Sequence, residues 1–308
     1  MKFNSIIIFV NNICSVGCAT CNVSAKSSNK GVLDRKKLDI LLVESKINEL
    51  SKYVIWTGGE PFLSFELLLY GLKKAEDLGF KSEVLTSGVW FDKDPEFIDK
   101  LKGIRDISIR ISLDYEHNKK VSHKTLIKLI ERSLDNKIDI NFTVRKIPGV
   151  NYSPDDLFMR IKGGFSEYFL KKKSDFRWIH TIPHIPVHED DPYISEIRDF
   201  HVSKKGCKFV YKDLVTGWDG FVYPCCGLFS VADFNGFALT EITGGFSNRI
   251  ESLIKSDRLF FMIRSSGPSS LTDKVEIPDR IKWSIKSMNS CFVCNRILDN
   301  WNVNDKIV

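Results

Sequence analysis

The 308-residue sequence has no apolar run long enough to cross a bilayer. The run near its start, Ile6 to Val10, falls far short of the ~20 apolar residues a membrane helix needs. No basic segment and cleavage site of a secretory signal surround that run, so it reads as a buried strand. The expectation is a cytoplasmic protein without a membrane partner. Internal repeats and low-complexity tracts are also missing. No basic stretch is interleaved with aromatics, so nucleic acid is not an expected partner. What is present is ordinary for a globular chain: 43% apolar and 27% charged residues, enough for one large core or two unequal domains. The net charge of +6 includes the run Lys171-Lys172-Lys173 and reads as a solvated lysine face. The second reading of that charge is an acidic partner, such as an acidic peptide or a phosphorylated substrate.

The first half alternates between two hydrophobic periods. Strand-like runs fall at 5–10, 53–57, 83–86, 107–113 and 138–144, with a weaker one at 176–181. Ile107, Ile109, Ile111 and Leu113 alternate at period two, the signature of a half-buried strand. Helical stripes separate the runs: Leu38, Leu41, Leu42, Ile47 and Leu50; Leu67, Leu68, Leu69, Leu72 and Ala75, ending near Gly79; and Leu126, Ile127, Ile130 and Leu134. About six β/α units imply a parallel sheet with right-handed crossovers, closed only partly because a full barrel needs eight. The predicted fold is therefore α/β, a partial (β/α)6 barrel over 1–182. Pro183, Pro186 and Pro192 mark 183–206 as a linker, and a small α+β domain is expected over 207–308. The stretch 228–290 carries few motifs and is expected to shape the substrate pocket. His180, His184 and His188 are spaced for one helix face, but Pro183 and Pro186 forbid that helix and so that metal site.

Eight cysteines stand at 14, 18, 21, 207, 225, 226, 291 and 294. In a large, lysine-rich chain without a signal peptide they point to metal or redox chemistry rather than disulfides. Cys14, Cys18 and Cys21 follow the first strand, so they occupy its β-to-α loop, at the end of the sheet where such folds do chemistry. Three thiolates this close can wrap one metal centre. No fourth ligand follows nearby, as a closed zinc site would require.

This CxxxCxxC loop resembles that of the radical S-adenosylmethionine (SAM) superfamily. The resemblance implies a [4Fe-4S] cluster on the three cysteines, with its fourth iron open to SAM. It also implies an external electron donor of the flavodoxin or ferredoxin type. One electron then cleaves SAM to methionine and a 5′-deoxyadenosyl radical, which takes a hydrogen atom from substrate. The family usually has an aromatic before the third cysteine. Thr20 stands here instead, so adenine stacking must come from elsewhere. Gly58-Gly59-Glu60-Pro61 looks like the family's GGEP motif, which binds the SAM amino group; glycines admit close backbone approach and Glu60 offers an acceptor. Ser87, in Thr86-Ser87-Gly88, stands where relatives carry Asn. Ser112 and Asp114 resemble a Ser-x-Asp pair that contacts SAM, and period two puts both on one face. Arg145 follows the fifth strand and is a candidate partner for the SAM carboxylate. His117 reads as a solvated loop histidine without a role.

The second set resembles the Twitch extension, a short relative of the SPASM domain. By that resemblance Cys207, Cys225, Cys291 and Cys294 hold an auxiliary [4Fe-4S] cluster, and Gly220 makes the hairpin between them. The spacings alone also admit a four-cysteine zinc site. Cys226 is left over. Pro224-Cys225-Cys226 looks like the run in radical SAM epimerases, peptide-modifying ones among them, where the spare thiol returns a hydrogen atom to the substrate radical. Asp213 reads as a turn residue, with a polar substrate contact as the other reading. The expected activity is epimerisation of a peptide residue or of a small sugar or aminocyclitol. The alternatives are a dehydrogenase or cross-linking enzyme that uses the auxiliary cluster as electron acceptor, and a non-catalytic cluster-binding or sensing protein.

Overall fold

A computed structural model describes residues 1–19, 21–146, 179–183, 206–231, 234–274 and 290–299. The strand-like runs form β1 (Ile6–Phe9), β2 (Tyr53–Thr57), β3 (Lys81–Thr86), β4 (Ile107–Ser112), β5 (Asp139–Lys146) and β6 (Ile179–Pro183). All six are parallel, in the order β6-β5-β4-β3-β2-β1. Crossovers carry α1 (Arg35–Ile47), α2 (Phe65–Asp77), the short α3 (Phe97–Lys100) and α4 (Tyr115–Asn118), and α5 (His123–Asp135). This is the partial barrel read from the sequence. Residues 176–178 of the expected sixth run lie outside the described residues.

Period two divides the sheet into two faces with opposite chemistry. On the outer face Trp56, Val84, Ile109, Ile111 and Phe142 are buried beneath the helices. Gly71 of α2 makes room for the Trp56 ring, which a Cβ there would strike. Each such side chain removed from water contributes about 1.5–3 kcal/mol. On the inner face Arg110 pairs with Glu83 (Nη2–Oε2 2.5 Å), and Asn141 donates to the same carboxylate at 3.0 Å. The helical stripes hold with two corrections: Leu38, Leu41 and Leu42 are buried, but Ile47 at the end of α1 is 72% exposed, and Leu50, though buried, lies beyond the end of the helix.

The C-terminal segment joins the same sheet. β7 (Leu214–Thr216) pairs in parallel with β1, Ile6 opposite Leu214, on the edge away from β2. β8 (Phe221–Tyr223) and β9 (Thr240–Glu241) follow antiparallel, completing a nine-stranded order. Gly220 turns the β7–β8 hairpin with φ +80°, a conformation that favours glycine. Three α-helices remain among the described residues: α6 (Phe246–Ser256), α7 (Arg258–Ser266) and α8 (Ser290–Asp299). Glu44 of α1 docks α6 by accepting from the backbone N–H groups of Gly245 and Ser247 at its N-terminus. Lys37 of α1 reaches the hairpin, donating to the Asp219 carbonyl at 3.3 Å and pairing with Glu241 at 2.7 Å. Most of the expected linker, 184–205, lies outside the described residues. No described helix is long and apolar enough to cross a membrane.

Candidate functional site

At the carboxyl ends of the strands, the loop after β1 carries Cys14, Cys18 and Cys21. Backbone bridges close it where Ile13 meets Lys26 and Asn11 meets Val32. The Gly-Gly turn after β2 locks onto its base: Gly59 N–H donates to the Asn11 carbonyl at 2.8 Å and Glu60 N–H to the Ile13 carbonyl at 2.7 Å. A Cβ on Gly58 or Gly59 would run into those two carbonyls, and Gly58 has φ +143°. The glycines thus let one active-end loop seat against another. Asn11, a residue the sequence reading passed over, is fully buried and reinforces the joint. Its amide donates to the Glu60 carbonyl and to Ser64 Oγ, both at 2.9 Å.

Glu60 is wholly buried. Oε1 accepts from Thr86 Oγ1 at 2.7 Å, and Oε2 accepts from Ser87 N–H at 2.8 Å and Ser87 Oγ at 2.5 Å. Burial pushes its carboxyl above the ordinary range, against these hydrogen bonds. The expected acceptor for an ammonium thus spends its oxygens joining the β2 turn to Thr86-Ser87-Gly88. Ser87 is brought to the site by that bond.

Ser112 ends β4, and Asp114 caps α4 two residues later. The Asp114 carboxylate is turned onto His117, accepting from its N–H at 3.1 Å and lying 2.8 Å from Nδ1. Burial opposes the Asp114 charge, but the His117 hydrogen bonds and the nearby Arg145 hold its pKa down to about 2. Arg145 therefore stands in electrostatic reach of Asp114. The other ring nitrogen of His117, Nε2, lies 3.8 Å from Cys18 Sγ. Burial opposes the His117 charge as well, yet Asp114 and Cys18 lift it to about 10. His117 is thus not a solvated loop residue: its side chain is only 18% exposed and bridges two site residues. Nothing local announces this, since Cys18 is 99 positions away.

The first three thiols suit a cluster. All are partly buried, and backbone N–H groups point at two of the sulfurs: Val16 at Cys14 and Ala25 at Cys21, each at 3.4 Å. Burial pushes the Cys14 thiol up to about 12, so a thiolate there needs a cation beside it. Among the described residues no three His, Cys, Asp or Glu side chains are grouped to hold a single metal ion. Thr20, before the third cysteine, lies outside the described residues.

The remaining five cysteines gather at the opposite end of the sheet. Cys225 and Cys226 follow β8, which runs antiparallel to β7 and so ends beside the start of that strand. There Asp213 accepts from Ser5 N–H at 3.1 Å and Ser5 Oγ at 2.7 Å. It anchors the start of β1, more than a turn residue need do. Cys207 donates its N–H to the Ile263 carbonyl of α7, and Cys291 and Cys294 lie one turn apart on α8. Burial, then the charges of Cys226, Cys294 and Cys291, push the Cys225 thiol far up. Cys294 is raised likewise by burial, Cys291 and Cys207, and Cys291 reaches about 12 through burial, Cys207 and Cys226. Cys226 is exposed at its surface. Burial of its sulfur, then the charge of Asp213, nonetheless push the thiol up to about 11.

A family model described as the Radical SAM superfamily matches residues 8–161, half of the chain. "Putative peptide biosynthesis protein YydG" of Bacillus subtilis (strain 168) is 21% identical over 278 residues, covering 87% of this chain and 82% of the relative. Two solved structures share the fold. Streptococcus suis SuiB bound to precursor peptide SuiA is 18% identical with TM-score 0.50, covering 99% of this chain and 73% of that one. Native anSMEcpe with bound AdoMet and Cp18Cys peptide is 14% identical with TM-score 0.52, covering 95% and 94%. The family match runs from within β1 through β5 and takes in the CxxxCxxC loop, and the chain belongs to the radical SAM superfamily.

Proposed function

We propose that this radical SAM enzyme is an epimerase acting on a residue of a peptide, with Cys226 as hydrogen-atom donor. In this reading Cys14, Cys18 and Cys21 ligate the SAM cluster. Gly58, Gly59, Glu60, Ser87, Ser112, Asp114 and Arg145 form the SAM pocket, and Cys207, Cys225, Cys291 and Cys294 hold a second [4Fe-4S] cluster. The domain division is 1–182, 183–206 and 207–308. When bound, the first cluster and SAM supply the 5′-deoxyadenosyl radical. The observation that carries the proposal is Cys226 itself: a fifth thiol beside four others, at the far end of the sheet from the Cys14 loop. From the level of Ser5 to that of Val10 is roughly 16 Å at about 3.3 Å per residue. Inversion needs a hydrogen donor on the face of the carbon opposite the radical, and a substrate lying between the two ends of the sheet would meet the radical on one face and Cys226 on the other.

The chemistry balances. The adenosyl radical takes a hydrogen atom from the substrate carbon, giving 5′-deoxyadenosine. The Cys226 S–H bond breaks and a C–H bond forms on the opposite face. The thiyl radical regains an electron from a flavodoxin- or ferredoxin-type donor and a proton from solvent. The peptide as substrate is supported by the relatives: YydG is described as a peptide biosynthesis protein, and SuiB and anSMEcpe were each solved with a peptide bound. Cys226→Ala is expected to keep forming 5′-deoxyadenosine and to abstract substrate hydrogen while producing no epimer. An unchanged yield of inverted product from that variant sinks the proposal.

The second reading is oxidation or cross-linking, favoured by the clustering of the other four cysteines where an electron acceptor is wanted. Product mass separates the two. Epimerisation in deuterated solvent replaces one hydrogen by deuterium, whereas oxidation removes two hydrogens. Iron analysis separates a second cluster from zinc: two clusters give about eight irons per chain.

A further inference from the structure

We propose that His117 is a positioning residue for the first cysteine group: oriented by Asp114, its imidazole donates a hydrogen bond to the Cys18 sulfur and raises the reduction potential of the cluster that sulfur ligates. The inference rests on the reading of Cys18 as a ligand. It begins with local geometry. Asp114 is the N-cap of α4, and His117 stands at the third helical position, where a cap carboxylate meets the backbone N–H. The same oxygen meets Nδ1, so one carboxylate holds both the backbone and the ring of His117. With Nδ1 committed, Nε2 is turned toward Cys18.

The rest of α4 grips the same stretch of the cysteine loop. Ala19 N–H points at Glu116 Oε2 at 3.5 Å, and Lys119 holds the other oxygen of the buried Glu116 at 2.6 Å. α4 therefore touches the loop at two consecutive residues. A ligating sulfur has no proton and only accepts, as does the Asp114 carboxylate. The His117 ring satisfies both neighbours by presenting an N–H to each. Hydrogen bonds to cluster sulfurs are among the factors that set cluster potentials, and such outer partners also orient the ligand. Cys14 and Cys21 face backbone N–H groups, which side-chain substitutions other than proline leave in place. Cys18 faces a side chain, so its sulfur environment is open to adjustment by substitution.

The test is an EPR-monitored potentiometric titration of the anaerobic full-length protein, following the reduced signal that changes when SAM is added. His117→Phe is expected to keep its iron and shift the midpoint downward. At a fixed applied potential the reduced-to-oxidised ratio then falls about tenfold, equivalent to about 59 mV for one electron. His117→Gln, which retains an N–H donor, recovers part of the shift. A His117→Phe protein with full iron and an unchanged midpoint overturns the inference while leaving the ligand assignment standing. If His117→Phe takes up no iron, pulsed EPR of wild-type protein labelled with 15N-histidine decides: a nitrogen coupling to the reduced cluster is expected, and its absence overturns the inference. A wild-type protein with no SAM-responsive cluster signal overturns the ligand reading and this inference together.

Discussion

The two cysteine groups are built in opposite ways. The first occupies eight consecutive residues, 14–21, on one loop whose base is clamped by backbone hydrogen bonds from the Gly-Gly turn. The second draws on Cys207, the pair 225–226 and the helical pair 291 and 294, and so on three distant stretches of chain. The first loop is held by backbone hydrogen bonds and bridges to its own neighbours in the fold. Burial raises a thiol in each group, Cys14 in the first and Cys225, Cys291 and Cys294 in the second, but the second must also bring its thiols together from distant stretches of chain. A bound cation offsets the cost of gathering them, so metal binding and local folding are coupled more tightly in the second group.

The largest test of this contrast is Cys18→Ala, which is expected to abolish 5′-deoxyadenosine formation, measured chromatographically, and to remove about half of the iron. Cys294→Ala is expected to remove a similar share of iron yet leave SAM cleavage in place. Loss of SAM cleavage in that variant breaks the functional separation of the two groups. Iron removal by chelation should expose 207–231 and 290–299 to proteolysis before 11–26. Peptide mapping checks the order, and simultaneous cleavage contradicts the idea that only the second group depends on metal for its shape. Gly58→Ala drives a Cβ against the Asn11 carbonyl at a positive φ and should lower stability by about 1–3 kcal/mol in denaturant unfolding. Smallest is Lys37→Met, which severs the tie from α1 to Glu241. The pair is partly exposed, so the expected loss is below about 1 kcal/mol, with SAM cleavage unchanged.

Local pattern made the barrel legible. The alternation of Ile107, Ile109 and Ile111 with Ser108, Arg110 and Ser112 both marks β4 and separates its outer face from its inner one. The same holds for the cysteine loop, because three ligands within eight residues meet whatever the rest of the chain does. Glu60 was legible only by type. Its burial and its bonds to Thr86 and Ser87 depend on β2 and β3 lying side by side. Ile47 misled because helical periodicity says which residues share a face, whereas cover at a helix end depends on what packs there.

The sequence by itself determined the period of each element, the parallel β/α order and the loop carrying Cys14, Cys18 and Cys21. All of these are set by residues within a turn or two of one another. Tertiary structure alone decided that β7 joins the sheet beside β1, that the second cysteine group lies at the end opposite the first, and that His117 faces Cys18. Those relations span tens to hundreds of residues. They arise when distant apolar faces are buried together, and no local spacing records which strand becomes whose neighbour.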